Sequence, residues 1–283
     1  MQLIRDLLNI SEATAYGSKP ARAEELQIEQ AIDILKKHCK HTMWMVKEVR
    51  PFYRGDRGLL GGADTGIVDT RKTTRKSQNT ANYYTVIFDN TPSTRGFPKR
   101  SKSLICTTSR ETASLYSGVV TCLIPFDDAK IGLVHRDDMW DTLISFIPSF
   151  LTRKINIDSM NQFFARSDID DSWEDIVRFA EKLKSGDEEA IKSLRFAVTR
   201  FTSYGLSTPE KVQEVVDYLK DHFLQAINNA YSPESTGHEA FTGATLPHDF
   251  YKEKSEAWIE GDIVVITAHT LSRIKAGMFP EED

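Results

Sequence analysis

Cysteine is scarce in this chain: Cys39, Cys106 and Cys122 are the only three, and no two form a Cys-x-x-Cys pair. A disulfide framework for 283 residues is thereby excluded, and a thiolate zinc or redox motif with it. Reduced, buried thiols are the expectation. Long apolar runs are missing too. Nothing reaches the roughly 18 to 20 uncharged residues of a membrane helix, and the opening MQLIRDLLNISEA has acidic residues where a signal peptide would be apolar. The sequence therefore predicts a cytoplasmic protein with no membrane partner. No G-x-G-x-x-G follows a strand pattern. The glycine cluster from Gly58 to Gly66 lacks the Gly-Lys-Ser/Thr ending that grips phosphate, so a Rossmann fold and a P-loop are disfavoured and a loop is expected there. Neither an internal repeat nor a low-complexity tract is present.

What is present is a globular composition, 40% apolar and 27% charged, enough for one large or two modest domains. The net charge of -5 is unevenly spread, because Lys47 to Arg110 holds thirteen Lys and Arg against five Asp and Glu. A solvated basic surface explains such a run, and it points to a phosphate-bearing ligand only where a motif falls inside it.

The periodicity divides the chain. Leu3, Ile4, Leu7 and Leu8 predict a short helix, and Ile28, Ala31, Ile32, Leu35 and Cys39 another, opened by Ser18 and Pro20. Short β-rich runs follow at Tyr83–Phe88, Ser103–Thr107, Val119–Ile124 and Ile131–Val134. Helices are predicted again from Trp140 to Leu151, after a Ser172/Asp175 cap, across Ala190 to Phe201, and from Thr208-Pro209 onward. The Ser/Thr/Gly-rich stretch 232–247 reads as a loop, and two strands about Glu260-Gly261 close the pattern. The predicted class is α+β, with an N-terminal helical segment (1–50), the first part of a sheet core (51–138), a helical insertion (139–231), and a loop with the last strands (232–283).

Three segments carry residue types suited to chemistry. Phe52-Tyr53-Arg54-Gly55 ends an apolar run in an arginine and a permissive glycine; the stretch Arg100–Ser109 carries a strand that ends in Thr107-Thr108-Ser109, with Ala113 and Tyr116 downstream and no role assigned to Arg100; in Lys254–Gly261, Glu256 enters a late strand. His38, Cys39 and His41 do not share a helix face, so no metal site is expected. Cys106 lies mid-strand, where a buried thiol is preferred over a nucleophile served by His135.

In order and spacing the three segments resemble the Arg–Ser–Glu class of the ADP-ribosyltransferase superfamily. Within it they are most similar to transferase-like proteins of tailed bacteriophages, where Leu123-Ile124-Pro125-Phe126 matches a downstream strand end. The resemblance covers about 49–138 and 250–268 and implies a split β-sheet core. It further implies cleavage of NAD, as substrate, to nicotinamide with transfer of ADP-ribose to a macromolecular acceptor, protein or nucleic acid, in a host cytoplasm. On that reading Glu256 is the catalytic carboxylate, since an anion beside the ribose stabilises an oxocarbenium-like transition state. Arg54 forks onto the dinucleotide, with Gly55, Thr107, Thr108 and Ser109 lining the NAD site and Tyr116 walling the nicotinamide. Arg54, Thr107 and Glu256 should then converge on one cleft. Phe241 in the 232–247 loop and Lys254 are the expected acceptor contacts. Thr107 stands where the family usually has Ser, and Lys254 where arginine-modifying members carry a second acid, which argues against arginine as acceptor. Glu260 is the alternative carboxylate. The competing functions are an NAD glycohydrolase and a non-catalytic nucleic-acid-binding or virion-associated protein of the same fold.

Overall fold

A computed structural model of the chain describes residues 21–75, 83–136, 139, 172–201, 208–252 and 254–280. The helices expected at Leu3–Leu8 and Trp140–Leu151 lie outside the described residues. In chain order the elements are β1 (Glu24–Glu25), α1 (Ile28–His38), α2 (Trp44–Lys47), β2 (Phe52–Gly55), β3 (Thr65–Asp69), α3 (Tyr83–Asn90), β4 (Leu104–Thr107), α4 (Arg110–Ser114), β5 (Val120–Pro125), β6 (Lys130–Val134), α5 (Trp173–Ser185), α6 (Glu188–Phe201), α7 (Pro209–Ala230), α8 (Pro233–Thr236), β7 (His238–Thr242), β8 (Glu256–Glu260), β9 (Asp262–Thr267) and α9 (Ala268–Met278). The protein is of the α+β class, and its described residues fall into two compact units.

The helical unit comprises 83–95, 172–201 and 208–236. Its caps follow the sequence. Ser172 Oγ accepts the Asp175 N–H at 3.2 Å, Thr208 Oγ1 caps α7 before Pro209, and Gly186 ends α5 in the left-handed region at φ 83. Ile176, Phe179 and Leu183 form the buried stripe of α5, and Phe179 meets Phe223 of α7 edge-on, ring centroids 5.4 Å apart.

One expectation fails in this unit: Tyr83–Phe88, predicted as a strand, is the start of α3. The run is β-branched and aromatic, but its buried apolar members Tyr84, Ile87 and Phe88 recur at helical spacing, with Thr85 buried beside them, and a short apolar run cannot be told apart by composition alone.

The sheet unit comprises 21–75, 96–136, 139, 237–252 and 254–280. Its nine strands lie in the order β1-β3-β9-β5-β2-β4-β8-β6-β7, each neighbouring pair antiparallel. The central β5, β8 and β9 are apolar on both faces because helices and loops cover both sides, with Leu123, Ala257, Ile259 and Val264 fully enclosed. β2 and β4 are joined by a single register pair, Tyr53 with Thr107, so the sheet opens beyond that point.

The segment 232–247 is a second correction. It contains α8 and the edge strand β7, which pairs with β6 through Lys130–Val134. An edge strand with one large apolar residue, flanked by Ser, Thr and Gly, carries little strand signal.

All three thiols are free and buried, as the sequence predicts. Desolvation pushes Cys39 and Cys122 from the ordinary 9.0 up to about 12, and raises Cys106 as well. None should react with a disulfide reagent at pH 8 in the native state, and all three should after unfolding. Because the folded values are raised, this contribution to stability is complete below the unfolded thiol range and is lost as pH climbs toward 12. Rapid labelling of the native protein at pH 8 would contradict the burial.

Candidate active site

The site begins with strand register. Tyr53, Thr107, Glu256 and Val134 are consecutive cross-strand partners on β2, β4, β8 and β6, so their side chains leave one face of the pleat. Thr107 and Glu256 are thus adjacent, although 149 positions separate them in the chain. Past Thr107 the backbone turns into α4. Thr107 Oγ1 accepts the Ser109 N–H at 3.1 Å, and Ser109 Oγ caps α4 by accepting the Thr112 N–H at 3.1 Å. Thr108 ties the two strand ends together: its N–H donates to the Ser255 carbonyl and its Oγ1 accepts the Ser255 N–H, both at 3.0 Å. The hydroxyl run is therefore buried and holds the backbone that carries Glu256.

Glu256 is nearly enclosed. Its Oε1 accepts Arg100 Nη2 at 2.7 Å and its Oε2 accepts the Met139 N–H at 3.0 Å. The Arg100 side chain is only 3% exposed, and its guanidinium also lies 5.1 Å from the Trp258 ring centroid. Three residues on this face of β8 bond to the segment Pro98–Arg100. Glu256 takes Arg100, the Trp258 indole N–H donates to the Pro98 carbonyl at 3.0 Å, and Glu260 Oε2 accepts the Lys99 N–H at 2.7 Å. Residues 98–100 form a strap along β8. Glu260, the alternative carboxylate, caps that strap at the Gly261 turn.

Arg54 does not join this group. It follows Tyr53 on β2 and so leaves the opposite face, the one shared with Cys106. Its Nη1 donates to the Ile105 carbonyl, a β4 acceptor that has no β2 partner where the two strands part. Burial lowers the pKa of this guanidinium. Gly55 is buried under the end of α4, where a Cβ would come 2.8 Å from the Ala113 carbonyl oxygen, so its need for glycine is met by packing.

Tyr116 is 44% exposed, with Arg57 5.7 Å over its ring, beside exposed Leu115 and Val119. Lys254 is exposed and, with Arg110, helps to lower the pKa of Glu111, whose main cause is its own backbone hydrogen bond. Phe241 sits on β7 opposite Ile131, half-buried against the core, and so does not occupy a loop. His135 Nδ1 and Ser255 Oγ are 3.1 Å apart, but Ser255 is fully buried, which leaves this pair a structural contact. Among the described residues no group of three His, Cys, Asp or Glu is placed to hold a metal, and no helix is long and apolar enough to cross a membrane.

Sequence reasoning missed Arg100. It stands in a basic turn among Lys99 and Lys102, and nothing in its spacing separates it from a solvated charge. No protein-family model, no curated protein and no solved structure matches this chain.

Proposed function

We propose that the chain is a mono-ADP-ribosyltransferase that cleaves NAD and passes ADP-ribose to a macromolecular acceptor, with Glu256 as the catalytic carboxylate. The observation that carries this reading is the adjacency of β2, β4 and β8 at the opening of the sheet. β4 and β8 bring Thr107 and Glu256, 149 positions apart in the chain, into register, and β2 carries Arg54 beside them on the opposite face. A carboxylate has about four lone-pair positions. The bonds from Arg100 and Met139 use two, and a ribose hydroxyl would take another, beside the centre where positive charge develops. Thr107 lies next to Glu256, Tyr116 is 44% exposed with Arg57 over its ring, and Arg54 reaches a phosphate only by exchanging its bond to the Ile105 carbonyl. The phage-like texture suggests a host cytoplasm as the place of action.

The orientation of Arg54 and the enclosure of Glu256 favour a second reading, a binding protein that retains the arrangement without catalysis. Adenylate-labelled NAD incubated with the protein and cell lysate decides between them. Nicotinamide release with label on a protease- or nuclease-sensitive acceptor supports the transferase, release with free ADP-ribose makes water the acceptor, and no release leaves the binding protein.

Arg54→Lys gives a separate expectation. It should weaken NAD binding by about tenfold in calorimetry, because a point charge cannot replace the fork. Equal affinity would remove Arg54 from the NAD site.

A further inference from the structure

We propose that Arg100 is the positioning residue of Glu256: the strap over β8 exists to hold that carboxylate in one orientation. This rests on the transferase reading for its chemistry, but the geometry stands by itself. The carboxylate is fixed by two donors from different parts of the chain, Arg100 at 2.7 Å on Oε1 and the Met139 N–H at 3.0 Å on Oε2. Its backbone is fixed as well, with the Glu256 N–H donating to the Arg136 carbonyl at 2.7 Å and Thr107 in register across the ladder. Arg100 in turn has little room to move, since Nη1 lies 3.1 Å from Met139 Sδ and the guanidinium rests over Trp258.

A buried ion pair is a poor way merely to fasten a strap. Exchanging such a pair for apolar side chains of similar volume is commonly neutral or stabilising. The strap is already fastened before Arg100 by the bonds of Trp258 to Pro98 and of Glu260 to Lys99, and after it by the Arg75 N–H donating to the Ser101 carbonyl at 2.8 Å. What the guanidinium adds is a directed, charge-assisted bond that fixes Oε1 and aims the unused lone pairs of the carboxylate, the preorganisation that stabilisation of an oxocarbenium-like centre requires. Arg100 is bonded to the Glu256 carboxylate, and it acts through Glu256.

The test uses the full chain with Arg100→Met and Arg100→Lys, assayed at a temperature where circular dichroism reports each variant folded. Arg100→Met is expected to lower kcat for nicotinamide release by about a hundredfold, with KM for NAD changed less than about threefold. Arg100→Lys should recover part of kcat by restoring the charge. Unchanged kcat in folded Arg100→Met, or a loss confined to KM, would overturn the proposal. A second readout is independent of any activity: the backbone amide resonance of Met139, which reports the Glu256 oxygen it bonds. It should move by more than its linewidth in Arg100→Met and return most of the way in Arg100→Lys; an unmoved resonance overturns the positioning role. If the wild-type protein releases no nicotinamide, the transferase reading fails while the amide shift still judges Arg100. Should Arg100→Met not fold, Arg100→Gln, which keeps a donor without the charge, carries the test, and wild-type kcat together with an unmoved Met139 amide in it would refute the role.

Discussion

Glu256→Gln is expected to abolish most NAD cleavage, lowering kcat by about a hundredfold or more with a far smaller change in NAD affinity, because the lost charge acts chiefly in the transition state. The same substitution has a second effect that must be separated from the first. The amide oxygen it introduces can still accept the Met139 N–H, but Arg100, with a side chain only 3% exposed, would face a neutral group where a carboxylate had been. Removing one partner of a buried pair costs about 3 kcal/mol or more. Urea titration should therefore find Glu256→Gln clearly destabilised, and Arg100→Met added to it should restore most of the loss by removing the charge left behind. Turnover should not return in the double variant. Glu260→Gln is the control: its amide oxygen can still accept the Lys99 N–H, so both stability and turnover should stay near wild type. Full turnover by folded Glu256→Gln would remove the catalytic assignment.

Much of the sheet was legible because its strands are short apolar runs bounded by Gly, Pro and charge, as at Val120–Pro125 and at Glu256–Glu260 before the Gly261 turn. Periodicity worked where one element alone decides the pattern, as in α5 with its Ser172 cap and Gly186 stop. It failed where burial is settled by distant partners. Tyr83–Phe88 offers apolar side chains compatible with either state, and His238–Thr242 is an edge strand whose outward residues are polar or small. The site was legible to a similar degree. A family resemblance in motif order and spacing brought Thr107 and Glu256 into one reading, and the register makes them neighbours. It could not say which face Arg54 takes, because a one-residue change in register reverses every side chain. Nor could it reveal Arg100, whose burial follows from a strap that only the folded chain defines.

The strap also explains why a severe expected packing defect lies on a strand with no part in the chemistry. Gly132 of β6 is the register partner of Trp258, and a Cβ built on it would fall 2.0 Å from Cε2 and 2.2 Å from Cζ2 of the indole. Such an approach is impossible unless the ring moves, and the ring is held: Trp258 is fully buried, its N–H is bonded to the Pro98 carbonyl at 3.0 Å, and Phe97 stacks on it at 6.5 Å. Gly132→Ala should consequently cost about 3 kcal/mol or more, at the upper end for an added methyl in a filled core. Since Arg100 rests over the same ring, displacing it should also disturb the Glu256 carboxylate and lower turnover in the molecules that remain folded. Trp258→Ala removes the atoms that a Cβ at 132 would strike, at the expense of the bond to Pro98 and of the ring's packing. A double-mutant cycle in urea should show the two changes strongly coupled, with Trp258→Ala far less damaging in the Gly132→Ala background than alone. Gly132→Ala within about 0.5 kcal/mol of wild type, or simple additivity of the two changes, would mean that the ring is not clamped as described.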